Sequence, residues 1–586
     1  MPPTILAQHL YSYQSDAAGI RTVLATASDG TGTVSLGNQV IYWNANGSPQ
    51  LIFTPSVLAT DLRGVFSRDY EYFCDGVFAD LLKWTFNGAL TAWGVYSPAS
   101  PLILGVPSVG VITLLTGRSY YTVFFNTLTQ NYSDLSPISP STGILTLNDQ
   151  PLTSIPICPD TTYDSKLLLA TADGNDPTVL YQLAILSRTD TTYTDNTAEL
   201  DLLMADVWQY TDTNGVDHGV VDNQPPPNGS FPIKHNGRLF MATGPVVRFS
   251  KSLAEMVTAT GNIAGRYEEC WPSSYAIDIS EDAEEIHGYL SDGTVLYIGT
   301  ELCIRRLEGD SPDNFSMPNV LFNDVGLMAQ DVWSVVFLEG TPVGTMWVTP
   351  DFRCIGSDFN TYDNVGVQIQ STLNTINPDA IKQCWAMAPQ FGPFSFYVLA
   401  LCTGTNTEPD TFCVYDMRLR KWYVWQCADQ FISSLFYVTL GGTPRWIACD
   451  ANGNIRNFDP TFVVDRSGDT TPVGITSTIQ STWLDLGDGN TRKLLNEMDL
   501  QSSDPAIAVT VSGASTIAGF ASPLNLVTNA TPIINAFGDS KVFLAGTPTK
   551  DKYYRYKVVS TSTTASLETD TILSDMSFEV DPMLRF

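Results

Sequence analysis

No long stretch of this chain carries the three-to-four-residue apolar spacing of a surface helix. What recurs is a short alternating or apolar run, a turn built on Asp, Asn or Gly, and a second run. Glu71 to Trp93, Tyr289 to Leu307, Thr345 to Ile355, Thr411 to Trp425 and Arg445 to Phe458 all read as hairpins, with β-branched and aromatic strands around turn residues. Such units bury no core alone. They must stack, and a β-propeller is the commonest way to do it. The turn residues Asp292, Asp351, Asp416 and Asp450 stand 59, 65 and 34 residues apart, so the repeat is degenerate and predicts about five to seven blades.

The expected fold is therefore all-β: a degenerate propeller core, an inserted sandwich and a C-terminal β region. Residues 1–99 read as N-terminal propeller strands. Residues 100–205 break the rhythm with short strands and proline punctuation, as in an immunoglobulin-like or fibronectin-like sandwich. Residues 206–229 read as a connector stiffened by Pro225, Pro226 and Pro227, and 230–490 as blades. Residues 491–586 either close the propeller or build a small sandwich.

Charge narrows the function classes. The 586 residues hold 61 acidic and 30 basic side chains, a net charge of −31. Such a surface repels nucleic acid and anionic membranes, because phosphate binding needs clustered Lys and Arg. The acids are scattered, and solubility alone explains them as well as any specific role does. Ten cysteines include no CxxC pair, and buried free thiols are the expectation. The N-terminus lacks a basic region followed by an apolar one, and no apolar run reaches the ~18 residues of a bilayer span. Synthesis in a cytoplasm and a soluble product are expected.

The sequence offers no catalytic, cofactor-binding or metal-binding residue, and no enzyme is expected. His9, His218, His235 and His287 do not pair at metal-ligand spacing, and His235 reads as structural. No GxSxG, HExxH, Walker A or GxGxxG motif occurs. The acidic cluster Ser280-Glu-Asp-Ala-Glu-Glu-Ile reads as a solvated turn, since four close carboxylates raise one another's pKa. The Asp-Gly turns lack a DxDxDG calcium loop, and the Trp422-Tyr-Val-Trp425 run reads as strand core rather than sugar platform.

Several segments, in order, resemble the tail nozzle and tail-accessory β-propeller proteins of short-tailed bacteriophages. Pro225-Pro-Pro followed by Gly237-Arg-Leu-Phe-Met-Ala and Val247-Arg-Phe-Ser is similar to their Pro-rich linker and opening strand. Thr294 to Pro312, Val325-Gly-Leu, Trp422-Tyr-Val-Trp and Asp450-Ala-Asn-Gly-Asn-Ile resemble later blades, and Ile475 to Leu486 a closing strand. Tyr120 to Leu203 looks like that family's fibronectin-like module. The resemblance covers about residues 100–490 and carries no catalytic signature. It implies a virion protein, a nozzle or hub forming a ring below the portal and adaptor that retains and then releases the genome. It further implies a homo-oligomer, usually a hexamer in that family, with a tail adaptor and tail fibres as partners and double-stranded DNA passing without specific binding. A carbohydrate-binding or depolymerising propeller for host-surface recognition is the alternative, and a generic cellular scaffold the third reading.

Overall fold

The computed structural model describes residues 63–426 apart from 69, 75–80, 85–90, 212–216, 220–222, 257–264, 280–283, 317 and 392–393, with the backbone alone at 209–211, 217–219, 391, 394, 425 and 426; outside that span it describes the backbone of the strands named below. The protein is all-β. Two compact units divide it, Met1–Phe458 and Asp459–Phe586.

The first unit is a ring of seven small antiparallel sheets, each a consecutive meander. Blade 1 is Leu6–Ser15, Ile20–Ser28, Gln39–Trp43 and Pro49–Phe53. Blade 2 is Arg63–Ser67, Tyr70–Cys74, Leu82–Trp84 and Thr91–Ala92. Blade 3 is Ser230–His235, Arg238–Thr243, Val246–Phe249 and Ala276–Asp278. Blade 4 is Ile286–Ser291, Leu296–Thr300, Cys303–Leu307 and Asn319–Asn323. Blade 5 is Ser334–Leu338, Thr341–Val348, Cys354–Ser357 and Tyr362–Asn364. Blade 6 is built on Trp385–Met387, Phe394–Leu401, Thr411–Asp416 and Lys421–Gln426, and blade 7 on Ile432–Leu440, Thr443–Asp450 and Ile455–Phe458.

The opening strands line up around the axis. Leu6–Ser15 packs on Arg63–Ser67, that strand on Ser230–His235, and the latter on Ile286–Ser291. The turn Gln330–Val332 carries the contact into blade 5, and Ser334–Leu338 packs on Phe394–Leu401. Trp385–Met387 meets Ile432–Leu440, which returns to Leu6–Ser15 and closes the ring. Blade 1 supplies all four of its own strands, so closure comes from packing between blades rather than from a sheet shared by the two ends. Between blades lie the cores: Tyr72, Trp93, Leu239 and Trp271 between blades 2 and 3; Phe240, Phe249, Tyr289 and Ile298 between blades 3 and 4; and a larger one through Leu327, Trp333, Trp347 and Tyr397 across blades 4, 5 and 6. Blades 3, 4 and 5 pack hydrophobic side chains against a neighbour on both faces, which is why their strands read as apolar runs as often as alternating ones.

Between blades 2 and 3 the chain builds a β-sandwich. One sheet holds Ser108–Leu114, Leu145–Thr153 and Tyr193–Asp195; the other runs Asn131–Tyr132, Tyr120–Asn126, Ser165–Ala170, Val179–Ser187, Val207–Thr211, Asp217–Gly219. Leu102, Leu152, Tyr120 and Leu168 fill the space between them. Tyr121, Phe125, Leu167 and Trp208 form a second core on the far face, so every residue of Tyr120–Asn126 is buried. Arg118 is wholly buried, its Nη1 donating to Asp195 Oδ2 at 2.7 Å and its Nη2 to Glu199 Oε2 at 2.8 Å.

Two boundaries move from where the sequence put them. Val207–Thr211 and Asp217–Gly219 are strands of the sandwich, so the extended connector is shorter than 206–229. Thr476–Gln480 pairs with Tyr553–Thr561, not with a blade, and the division at Asp459 places 459–490 with the C-terminal unit. An alternating strand advertises two unlike faces but not its partner, which is the physical reason for that misplacement. The C-terminal unit contains two principal sheets, one around Ala508–Ala514 and Tyr553–Thr561, the other around Lys493–Ser502 and Leu573–Pro582.

Candidate functional site

Two of the turn aspartates, Asp292 and Asp416, bind their own backbone. Asp292 Oδ1 accepts from the N–H groups of Thr294 and Val295, at 2.8 and 2.7 Å. Burial works to raise its pKa, but these donors and the Thr294 and Tyr297 hydroxyls hold it below the usual carboxylate range. Asp416 accepts from the N–H groups of Arg418 and Leu419, and Asp351 accepts from Arg353 Nε at 2.6 Å and from the Thr349 hydroxyl. The side chain of Asp450 lies outside the described residues, as do those of His9, His218 and Trp425. In the acidic cluster, Glu281 and Asp282 lie outside them too; Glu285 is exposed, whereas Glu284 is buried and accepts from the Thr300 hydroxyl. That burial corrects the reading of the whole cluster as a solvated turn: Glu284 comes just before the blade 4 strand Ile286–Ser291 and caps a buried hydroxyl.

His235 is buried with Nδ1 2.7 Å from Ser291 Oγ, and burial lowers its pKa. His287 Nδ1 lies 2.7 Å from the carbonyl oxygen of Leu327. Trp422 is half-buried, packs on Tyr415 and Tyr397, and donates to the Val365 carbonyl at 2.7 Å. Eight cysteines among the described residues are buried. Among those residues, no three His, Cys, Asp or Glu side chains gather as they would around a metal ion, and no helix is long and apolar enough to cross a membrane.

Two polar centres stand out, and neither is a local motif. The first joins blade 2, blade 3 and the sandwich through the turn Tyr267–Glu269. Glu269 Oε2 accepts from Lys83 Nζ at 2.7 Å and from Asn131 Nδ2 at 2.5 Å. Asn131 Oδ1 in turn accepts the Arg266 N–H. Glu268 Oε1 accepts from Ser67 Oγ at 2.9 Å and Arg68 Nε at 3.1 Å, while its carbonyl oxygen takes the indole N–H of both Trp93 and Trp271. Burial raises the Glu268 pKa against the opposing pull of Arg68. Above it, Arg266 lies over the Tyr70 ring at 4.1 Å and Arg68 over Tyr267 at 4.5 Å. Gly94, at φ +89°, lets the chain pass here: a Cβ would stand 3.0 Å from Pro225 Cα and 3.1 Å from the Glu269 carbonyl. Glu268 and Glu269 are 0% and 2% exposed, so this carboxylate pair holds domains together where no substrate reaches it.

The second centre sits at the propeller axis. Arg63, on the opening strand of blade 2, donates Nη1 and Nη2 to Asp331 Oδ1 and Oδ2, in the turn leading into blade 5. Arg63 also lies over the Phe231 ring of blade 3 at 5.3 Å. Beside Asp331, the Gln330 amide bonds both backbone groups of Tyr289 in blade 4. A guanidinium–carboxylate fork thus ties blades on opposite sides of the ring.

Comparison with known proteins adds little to this geometry. No family model and no curated protein matches the chain. Among solved structures, apo AztD from Citrobacter koseri aligns at a TM-score of 0.30 and 8% identity, over 72% of this chain and 86% of that one. Hsv2 from Kluyveromyces lactis aligns at 0.25 and 7%, over 72% and 98%. A GH74 enzyme from Niastella koreensis aligns at 0.23 and 11%, over 76% and 66%. The seven-bladed ring rests on the strand pairing itself.

Proposed function

We propose that this chain is a structural, non-enzymatic component of a bacteriophage tail, a nozzle or hub whose copies form a ring continuing the DNA channel. The observation that carries this reading is the order of parts. A complete sandwich stands between blades 2 and 3, followed by Pro225–Pro227 and the strand Arg238–Thr243, the order the family resemblance implies. The polar centres fit a mechanical part: both are spent on holding blades and sandwich in place. Because Arg63 and Asp331 bridge the propeller axis, the channel in this reading runs between protomers, not through one. A lumen lined with acidic and small polar groups lets DNA slide, since a cationic wall would hold it through counter-ion release. The virion tail is the location, with the tail adaptor and fibres as partners.

Electron micrographs of the purified full chain, with antibody labelling of phage particles, test this. Rings, and label at the tail, are the expected result. Release of reducing ends from host capsule or lipopolysaccharide, abolished by one carboxylate substitution, would replace it with the depolymerising propeller.

A further inference from the structure

We propose that the outward side of the sandwich sheet formed by Ser108–Leu114 and Leu145–Thr153 is covered by a second copy of this chain. The inference rests on the self-associating reading above and names the surface that reading leaves open. More than half of the exposed large hydrophobic side chains among the described residues belong to the sandwich. On this sheet Ile112, Leu114 and Leu145 turn inward as a small core. Val109, Leu115 and Ile144 are left 92%, 78% and 73% exposed, with Val111 and Leu147 beside them. Single exposed apolar residues need no explanation, but a contiguous group on one sheet marks a contact surface.

Charge selects the occupant. Residues 84–117 and 135–148 contain no Asp, Glu, Lys or Arg, in a chain of net charge −31. Two acids adjoin the face and both are held by its backbone: Asp149, within Leu145–Thr153, accepts the Val111 N–H at 2.9 Å, and Asp173 accepts the Leu115 N–H at 2.7 Å. A basic partner would be drawn to the acidic surface elsewhere. An identical copy is the partner most repelled by that surface, and the one for which a face poor in charge matters most. The strand Ser108–Leu114 is also unpaired on its other edge among the described residues, and it lacks the Lys or Glu with which exposed edges usually discourage pairing.

Sedimentation velocity on the full chain across protein concentration and salt tests this directly. The wild type should associate, and more tightly as salt shortens the screening length to about 8 Å at physiological strength. The double variant Val109→Asp/Leu147→Asp should dissociate at least about tenfold more readily, two charges being placed in an apolar contact. Leu147 has φ +52°, a conformation Asp tolerates, and circular dichroism would verify that the variant folds. Val367→Asp, exposed on the connection between blades 5 and 6, should associate as the wild type does. A double variant that assembles normally, or a Val367→Asp that alone fails to, would overturn the assignment of this face while leaving a ring intact. A wild type that stays monomeric at every concentration and salt would remove the ring itself.

Discussion

Arg63 and Asp331 hold each other by two hydrogen bonds, 2.6 and 2.7 Å, from blades as far apart as a seven-membered ring allows. Their side chains are 17% and 28% exposed, so water weakens the pair only in part. Either truncation leaves the other charge mostly buried and without its partner. Arg63→Ala and Asp331→Ala should each lower stability by about 1–3 kcal/mol, and the double variant should cost less than the sum. Chemical denaturation of the four proteins gives the coupling. Full additivity would mean that the bridge contributes nothing to closing the ring.

Glu71 makes the opposite kind of prediction. It is buried on Tyr70–Cys74, its Oε2 has no hydrogen-bond partner among the described residues, and burial raises its pKa well above the ordinary value. In the unfolded chain it ionises in the ordinary carboxylate range; folded, it ionises later. Across that window the folded state holds the extra proton, so stability falls as pH rises. Glu71→Gln should therefore match the wild type at about pH 4 and exceed it at neutral pH. Denaturation midpoints at the two pH values decide it, and a variant weaker at neutral pH would reveal a favourable charged contact.

Asp173 runs the other way. Burial works to raise its pKa, but the Leu115 N–H, the Thr116 hydroxyl and the N–H groups of Gly117 and Thr116 converge on it and hold it far below the usual range. Its contribution is present above the unfolded value and is lost as pH falls through the ordinary carboxylate range toward the depressed one. Asp173→Ala should cost about 1 kcal/mol at neutral pH, exposure having weakened the gain, and nothing in strong acid. A loss that persisted unchanged below the carboxylate range would assign the effect to packing.

Asn131→Asp keeps the acceptor for the Arg266 N–H but sets a second carboxylate against Glu269. Like charges in a buried site should cost about 2 kcal/mol or more. The sandwich should loosen from the ring before the ring unfolds, so limited proteolysis should cut near Pro225–Pro227 in the variant and spare the wild type. Equal cutting in both would mean that the two parts are held elsewhere.

What the sequence made legible was local. Asp292 and Asp416 announce turns because an Asp carboxylate reaches N–H groups two and three residues on, whatever the distant fold does. In Tyr267-Glu-Glu-Cys-Trp both carboxylates are buried. Their partners Ser67, Arg68, Lys83 and Asn131 arrive from well over a hundred residues away, and nothing in the segment signals them. The Arg63–Asp331 bridge is still less visible, since its ends are 268 residues apart. Binary pattern identifies what must be covered. Topology decides by what.

The sandwich leaves the ring after Thr91–Ala92 and returns to it at Ser230–His235, while Arg63–Ser67 and Ser230–His235 pack directly against each other. Ring closure is thus indifferent to what the chain does between those two blades. In descent, that makes the sandwich an exchangeable graft. A recombination with both breakpoints in the flanking loops swaps one module for another without reopening the ring. The newcomer must supply groups that meet Glu269 and the Arg266 N–H where Asn131 now does. Its exposed surfaces can then diversify quickly on a scaffold that stays the same.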